Sequence, residues 1–332
     1  MSDPLAGKLW RVDQGDAVAW LNALPAQSVD LVFGSPPYTM ARLYLENGEN
    51  LGIARNAEQW AAWMLDVFKA ALRVCRGLVA FVVEGQTKNF RWDAAPVLLM
   101  ADLHRAGITL RKPPVYHRVG IPGSGGPDWL RNDFEWIVCA TNGGRLPWSD
   151  NTALGHPPKW APGGEMSHRL SDGQRVNQWG MRIRSDGSLT ATDPSPSEDK
   201  PRSRKPSHVT MIKGHTKRTR NGETEHQEYT SPAVANPGNV IDCVTGGGQM
   251  GSAIAHENEA PFPEYLAEFF IRSFCPENGI TCDPFSGSGT TAAVAVRWGR
   301  RALCCDLRQS QVDLSRRRIK EAEPGLFTQE KS

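Results

Sequence analysis

A chain of 332 residues with 39% hydrophobic and 22% charged side chains can bury a full core, which speaks against a disordered protein. A net charge of only +2 speaks against nucleic-acid binding through overall charge, so any such affinity must come from local clusters. Seven cysteines without C-x-x-C spacing argue against zinc and disulfide frameworks, so no metal is expected.

Residues 9–12 read as a short strand, followed by a turn at Gly15-Asp16 and a short helix over 17–24. Residues 29–34 form an apolar run ending in Ser35-Pro36-Pro37-Tyr38, as a buried parallel strand would when it enters a stiff loop. Trp60, Trp63, Met64, Val67, Phe68, Ala71 and Leu72 recur at three- and four-residue spacing, which predicts one face of an amphipathic helix. Trp10, Trp60 and Trp63 are expected in the core. A second buried strand is expected at 78–83, a helix near 94–105, and strand-like segments at 109–118 and 134–141. No apolar run reaches the length of a membrane span, and the Asp3-bearing amino terminus does not read as a signal peptide. The expected compartment is the cytoplasm.

Composition changes after Thr141. Residues 142–239 are rich in Gly, Pro, Ser, Arg and Lys with little periodicity, and such a stretch is too long for a loop of a compact fold. It reads as an inserted, irregular domain, flexible near 192–207. Regular structure returns over 262–274, where Leu266, Phe269, Phe270 and Phe274 share a helical face. A strand at 280–283, a glycine-rich turn, a helix over 290–298, a strand at 302–306 and a helix near 310–321 complete the chain. Strands alternating with helices imply a parallel α/β sheet. The expected organisation is 1–141 and 240–332 as two parts of one domain, interrupted by 142–239.

The glycine-rich turn is Asp283-Pro284-Phe285-Ser286-Gly287-Ser288-Gly289-Thr290-Thr291. Its glycines let backbone approach a ligand, and the helix that follows presents unpaired N–H groups. Asp306 ends the next strand 23 residues after Asp283, the separation of a ribose-binding acid in a dinucleotide fingerprint. Only 40 residues follow Ala292, too few to complete a nicotinamide-binding domain, so the amino-terminal half must complete the sheet.

Ser35-Pro36-Pro37-Tyr38 after one buried strand, 283–291 after another, and the segment 256–266 (HENEAPFPEYL) together resemble the amino-methylating DNA methyltransferases. The motif order resembles the permuted beta class, and the resemblance covers 9–141 and 236–319. It implies an α/β, permuted Rossmann-like sheet with helices on both faces, plus a target-recognition insertion. It also implies S-adenosyl-L-methionine as cofactor, held by Asp16, Phe262, Asp283, Pro284, Phe285, Ser286, Gly287, Gly289, Thr290, Thr291 and Asp306. Ser35, Pro36, Pro37 and Tyr38 would be catalytic. The implied partner is double-stranded DNA, with a cognate restriction enzyme where the protein is half of such a pair. Monomers and homodimers both occur in the family.

The chemistry of the residues agrees. An exocyclic amino nitrogen shares its lone pair with the ring and is a poor nucleophile. Two acceptors on its hydrogens, the Ser35 hydroxyl and the Pro36 carbonyl, would hold it towards tetrahedral geometry, and Tyr38 offers a stacking face to an extruded base. Methylation at cytosine carbon 5 needs a cysteine nucleophile, usually after proline, and the chain has no Pro-Cys pair. Adenine N6 enzymes of the family usually carry Asp or Asn where Ser35 stands, so cytosine N4 is the leading reading and adenine N6 the alternative. Protein glutamine methylation and a non-catalytic DNA-binding protein are more distant alternatives.

Residues 201–220 hold seven Lys/Arg and no acid, and tryptophans and further arginines surround them. Lys213, Lys217, Arg218, Arg220, Arg182 and Arg184 are candidate DNA contacts on that basis. Changing Lys217, Arg218 and Arg220 together to Ala is expected to weaken DNA binding and flatten its salt dependence, since each phosphate contact contributes a slope of about −0.9 in log K against log salt. Fluorescence titration at several salt concentrations checks this, and an unchanged slope removes the three from the interface.

Overall fold

The computed structural model describes residues 3–39, 45–46, 49–50, 55–120, 125–128, 130–157, 168–169, 175–176, 181–183, 189–191, 214–218, 224–228, 234–244, 252–258 and 261–323. By packing, the chain divides into one unit of Met1–Leu154 with Gly238–Ser332 and a second of Gly155–Pro237.

The first unit is built on strands that read as apolar runs because both their faces are covered. In chain order these are β1 (Trp10–Gln14), β2 (Val29–Gly34), β3 (Cys75–Val83), β4 (Thr109–Arg111), β5 (Val115–Val119), β6 (Phe134–Thr141), β7 (Val240–Val244), β8 (Ile280–Asp283) and β9 (Arg301–Asp306). They form one sheet in the order β1-β9-β8-β2-β3-β6-β5-β7, with β4 also paired to β6. β1, β9, β8, β2 and β3 run parallel, whereas β6 pairs antiparallel with β3, β4 and β5.

Helices α1 (Ala17–Ala23), α2 (Ala57–Val74) and α3 (Ala95–Arg105) cover one face. Leu21, Trp60, Met64, Phe68, Leu99 and Leu103 pack there on Val32, Val79, Phe81 and Val83. Helix α2 starts at a capping box, in which Asn56 and Gln59 satisfy each other's backbone N–H groups. Helices α4 (Glu264–Phe274), α5 (Thr290–Arg297) and α6 (Gln309–Ala322) cover the other face. Leu266, Phe270, Val294, Val312 and Ile319 pack there on Leu31, Phe33, Leu78, Ala80 and Val82.

The crossover from β2 to β3 therefore runs over one face, through α2, and that from β8 to β9 over the other, through α5. Neighbouring strands β2 and β8 flank a topological switch point, where chains leaving their carboxyl ends part and leave a crevice.

Two elements differ from expectation. The segment 109–118 is two strands, because Pro113 and Pro114 cannot donate to a ladder and break it. β7 is an additional strand, paired parallel to β5 at the sheet edge. Its sequence escapes notice because it alternates buried Ile241 and Cys243 with exposed Val240, Asp242 and Val244 over only five residues.

In the second unit, His156 and Ala235 exchange both backbone hydrogen bonds (3.1 and 2.9 Å), so its two ends clasp each other. Among the described residues, three two-stranded antiparallel ribbons lie between them in sequence.

Asp30, at the start of β2, ties the amino-terminal side of the sheet together. It is 8% exposed, accepts from Arg76 at 2.6 and 2.8 Å in a fork, and accepts from the Ile280 backbone N–H at 2.9 Å. Asp30→Ala removes the fork on Arg76 and leaves the buried Ile280 N–H without its acceptor, so a loss of roughly 2 kcal/mol is expected in urea unfolding. A loss below about 1 kcal/mol would remove this role.

Candidate active site

The crevice beyond β2 and β8 receives both motifs. β8 ends at Asp283, and the chain turns through Gly287 and Gly289, with positive φ of 50° and 78°, into α5. A Cβ on Gly289 would stand 2.9 Å from Ser315 Cα, so α6 and the loop touch backbone to backbone. Ser315 holds the loop from below: its hydroxyl donates to the Gly287 carbonyl at 2.8 Å and lies 2.8 Å from Ser286 Oγ. Arg318, 1% exposed, donates to Ser288 Oγ (3.0 Å), Thr290 Oγ1 (2.7 Å) and Glu264 Oε1 (2.7 Å). Ser286, Ser288, Thr290 and Thr291 are thus buried in the fold, and Pro284 with them. Phe285 lies edge-on to Trp63 and Phe81, with ring centroids 5.6 and 5.7 Å away.

Asp306 ends β9; its Oδ2 accepts from Gly287 N–H at 2.8 Å and its Oδ1 from Arg308 N–H at 3.0 Å. Asp16 follows β1 and caps α1 by accepting from Ala19 N–H at 3.0 Å. Phe262 sets its ring edge against Phe33, 5.6 Å between centroids. Trp60 is core as expected. Trp10 and Trp63 are only part-buried, and Arg55 stacks 4.4 Å over the Trp63 ring.

Ser35, Pro36, Pro37 and Tyr38 continue directly from β2. A Cβ on Gly34 would lie 2.2 Å from Asp283 Oδ1, so the last residue of β2 touches the last residue of β8. The two motifs therefore share one crevice. Ser35 Oγ donates to the Val82 carbonyl (3.3 Å), with Tyr38 Oη also at 3.3 Å. The Trp60 indole N–H donates to the Pro37 carbonyl at 2.7 Å, the Thr39 hydroxyl to the Asp93 carboxylate, and Tyr38 Oη to Glu135 Oε2 at 2.7 Å. Among the described residues no donor reaches the Pro36 carbonyl, so it keeps its acceptor capacity.

Sequence reasoning did not place Glu84, Glu135 or the Trp60 indole N–H beside the Ser35 loop. Glu84 follows β3 and accepts from Gly85 N–H at 2.8 Å and Trp92 Nε1 at 3.2 Å. Its signal was available: it closes an apolar run, as Asp283 and Asp306 do. Glu135 had none, because it arrives from an antiparallel strand distant in sequence.

Burial pushes the Glu84 carboxyl up to about 7, and the nearby Glu135 charge adds to this. Burial likewise pushes Asp283 up to about 7, against the lowering effect of the Phe285 N–H. The crevice therefore gathers carboxylates at the ends of β1, β8 and β9, an acceptor set suited to a ligand with positive charge and hydroxyl groups. S-adenosyl-L-methionine, with its sulfonium, amino-acid end and ribose, fits it. Among the described residues no group of three His, Cys, Asp or Glu is placed to hold a metal ion, and no helix is long and apolar enough to cross a membrane.

Lys213, Arg220 and Arg184 lie outside the described residues, as does the stretch 192–207. Arg182, Lys217 and Arg218 stand on ribbon strands of the second unit, Met181–Ile183 and Gly214–Arg218, whose side chains are outside the described residues.

Comparison with known proteins supports the same reading. Residues 29–317 match the family profile described as DNA methylase. The Type II methyltransferase M.ScaI of Streptomyces caespitosus is 31% identical over 99 residues, 29% of this chain and 33% of its own length. The match thus spans about a third of that curated relative. Among solved structures, PvuII DNA methyltransferase (cytosine-N4-specific) superposes with a TM-score of 0.59 at 15% identity, covering 94% of this chain and 86% of its own. A DNA modification methylase of Thermus thermophilus, complexed with S-adenosyl-L-methionine, gives 0.52 at 20% identity over 96% of both chains. At these identities the likenesses bear on the fold.

The raised carboxyls set a pH dependence. Glu84 holds its proton in the folded protein up to about pH 7, but the unfolded chain releases it near the ordinary value of 4.5. Its neutral form is favoured by folding, so stability falls as pH rises through that window and levels off above it. The fall amounts to at most about 3 kcal/mol for Glu84, with Asp283 adding its own. Glu84→Gln is expected to flatten the decline in Tm between about pH 4.5 and 7, read by scanning calorimetry; an unchanged slope would remove Glu84 from this pH dependence.

Proposed function

The chain belongs to the DNA methylase family of N6- and N4-acting enzymes, and on that premise we propose that it methylates the exocyclic N4 amine of a cytosine flipped out of double-stranded DNA. The observation that carries this is the contact between Gly34 and Asp283, which sets the Ser35 loop and the glycine loop on one crevice.

Asp16, Phe262, the loop from Asp283 to Gly289, and Asp306 would hold S-adenosyl-L-methionine. Bound there, it supplies an electron-poor methyl carbon. The work of the protein's own residues is positioning. Ser35 Oγ and the Pro36 carbonyl accept the two amine hydrogens and turn the nitrogen lone pair out of the ring system. The prolines and the Trp60 bond stiffen the loop that aims those acceptors. The Tyr38 ring stacks on the extruded base and recovers part of the few kcal/mol that flipping costs. The second unit, with the flanking part of 142–239, serves as target-recognition region. Serine at position 35 favours cytosine N4 over adenine N6.

Incubating the protein with labelled S-adenosyl-L-methionine and either DNA or polypeptide tests this. Label is expected in DNA alone, with N4-methylcytosine in the digest by mass spectrometry. N6-methyladenine would move the assignment to adenine, and label only in polypeptide would overturn it. Ser35→Ala should keep cofactor affinity and lose about a hundredfold or more in single-turnover rate; a rate within about threefold of the parent would remove Ser35 from the chemistry.

A further inference from the structure

Behind Ser35 lies a chain of oxygen atoms contributed by separate elements. Tyr38 Oη donates to Glu135 Oε2 at 2.7 Å and turns its lone pair to Ser35 Oγ, 3.3 Å away. Glu135 stands on β6, and its other oxygen lies 3.2 Å from Arg118 Nη1 on β5. Tyr38 Oη, having given its proton to Glu135, is left as an acceptor for Ser35 Oγ, whose single proton is shared between it and the Val82 carbonyl, each 3.3 Å away. The Ser35–Tyr38 distance is long, as such bonds are before a substrate tightens them.

We propose that Ser35, Tyr38 and Glu135 form a proton relay that carries the proton released by the methylated amine out of the crevice to the Glu135 carboxylate. This rests on the amino-methylation reading. As the amine nitrogen uses its lone pair to bond the methyl carbon, the carbon–sulfur bonding pair departs with sulfur, and the nitrogen is left cationic. It gives one proton to Ser35 Oγ. Ser35 passes its own hydroxyl proton to Tyr38 Oη, and Tyr38 passes its proton to Glu135. The base ends neutral, both hydroxyls are restored, and the carboxylate ends as a carboxylic acid.

The surroundings suit the parts. Burial, with the Glu135 charge next in weight, holds the Tyr38 phenol well above its ordinary range, so it hands on a proton and does not stand as phenolate. The groups facing Glu135 are Tyr38, Arg118 and Tyr116 from β5, and Glu84 after β3. Arg118 balances the carboxylate before transfer, and burial favours the neutral form of Glu84, which limits the negative charge gathered there. Ser35 is the group that touches the amine; Glu135 acts through Tyr38 and so is a positioning residue.

The test uses the full chain with Tyr38→Phe, Glu135→Gln and Glu135→Asp. Tyr38→Phe keeps the stacking ring and loses only the hydroxyl. Both it and Glu135→Gln are expected to bind S-adenosylhomocysteine and DNA within about twofold of the parent, by calorimetry and anisotropy. Single-turnover methyl transfer should fall about a hundredfold in each. Glu135→Asp, which keeps the proton acceptor, should recover most of the rate lost in Glu135→Gln. Independently of activity, difference ultraviolet titration against Tyr38→Phe should show the Tyr38 phenol ionising at lower pH in Glu135→Gln. A Tyr38→Phe rate within about threefold of the parent, a Glu135→Asp rate no better than that of Glu135→Gln, an unmoved phenol titration, or loss of ligand binding in either variant overturns the relay while leaving amino-methylation standing. Failure of the parent itself to label DNA removes the underlying reading first, and the relay with it.

Discussion

The site depends on one close contact. Gly34 and Asp283 end neighbouring parallel strands, and any side chain at position 34 would occupy the space of the Asp283 carboxylate. That contact exists because β2 and β8 pair where the crossover helices change face. At any other strand pair of the parallel part, the two motifs would leave the sheet without a shared crevice. A fold in which the later motif supplies the inner strand brings together residues some 250 positions apart, as the Ile280–Asp30 bond also shows at the opposite edge.

The glycine-rich segment divides its labour by atom type. Its hydroxyls look inward to Ser315 and Arg318, and Glu264 neutralises that nearly inaccessible guanidinium. Its glycines serve the same packing: Gly287 gives its N–H to Asp306 and its carbonyl to Ser315, and Gly289 lies against Ser315 where positive φ and a missing Cβ are required. The rigidity comes from α4 and α6 and was invisible in the motif. The Ser35 loop is treated alike: Trp60 from α2, Val82 from β3, Glu135 from β6 and Asp93 each hold one of its residues. These anchors keep the acceptors aimed without help from substrate.

Charge is segregated as well. Carboxylates at the ends of the parallel strands suit a cationic ligand and repel phosphate, so in the proposed reaction a DNA backbone would be held by other surfaces. The basic residues of 201–220 are the sequence feature available for that task.

The sequence by itself determined the parallel sheet, its helices and the two motifs, because a strand buried on both faces must be continuously apolar and an amphipathic helix must repeat its apolar face every turn. Val29–Gly34 and Ile280–Asp283 lie where their composition places them. It left β7 unread, since five alternating residues at a sheet edge carry too little signal, and it merged β4 with β5 across two prolines. Only the tertiary structure decided that Glu84 would be buried near Tyr38 and that Glu135 would receive the Tyr38 hydroxyl. Those placements follow from antiparallel β6 lying beside β3, a pairing of distant segments that no local pattern encodes. The environment that raises a carboxyl to about 7 is likewise a property of the assembled crevice, because burial is not carried by any residue alone.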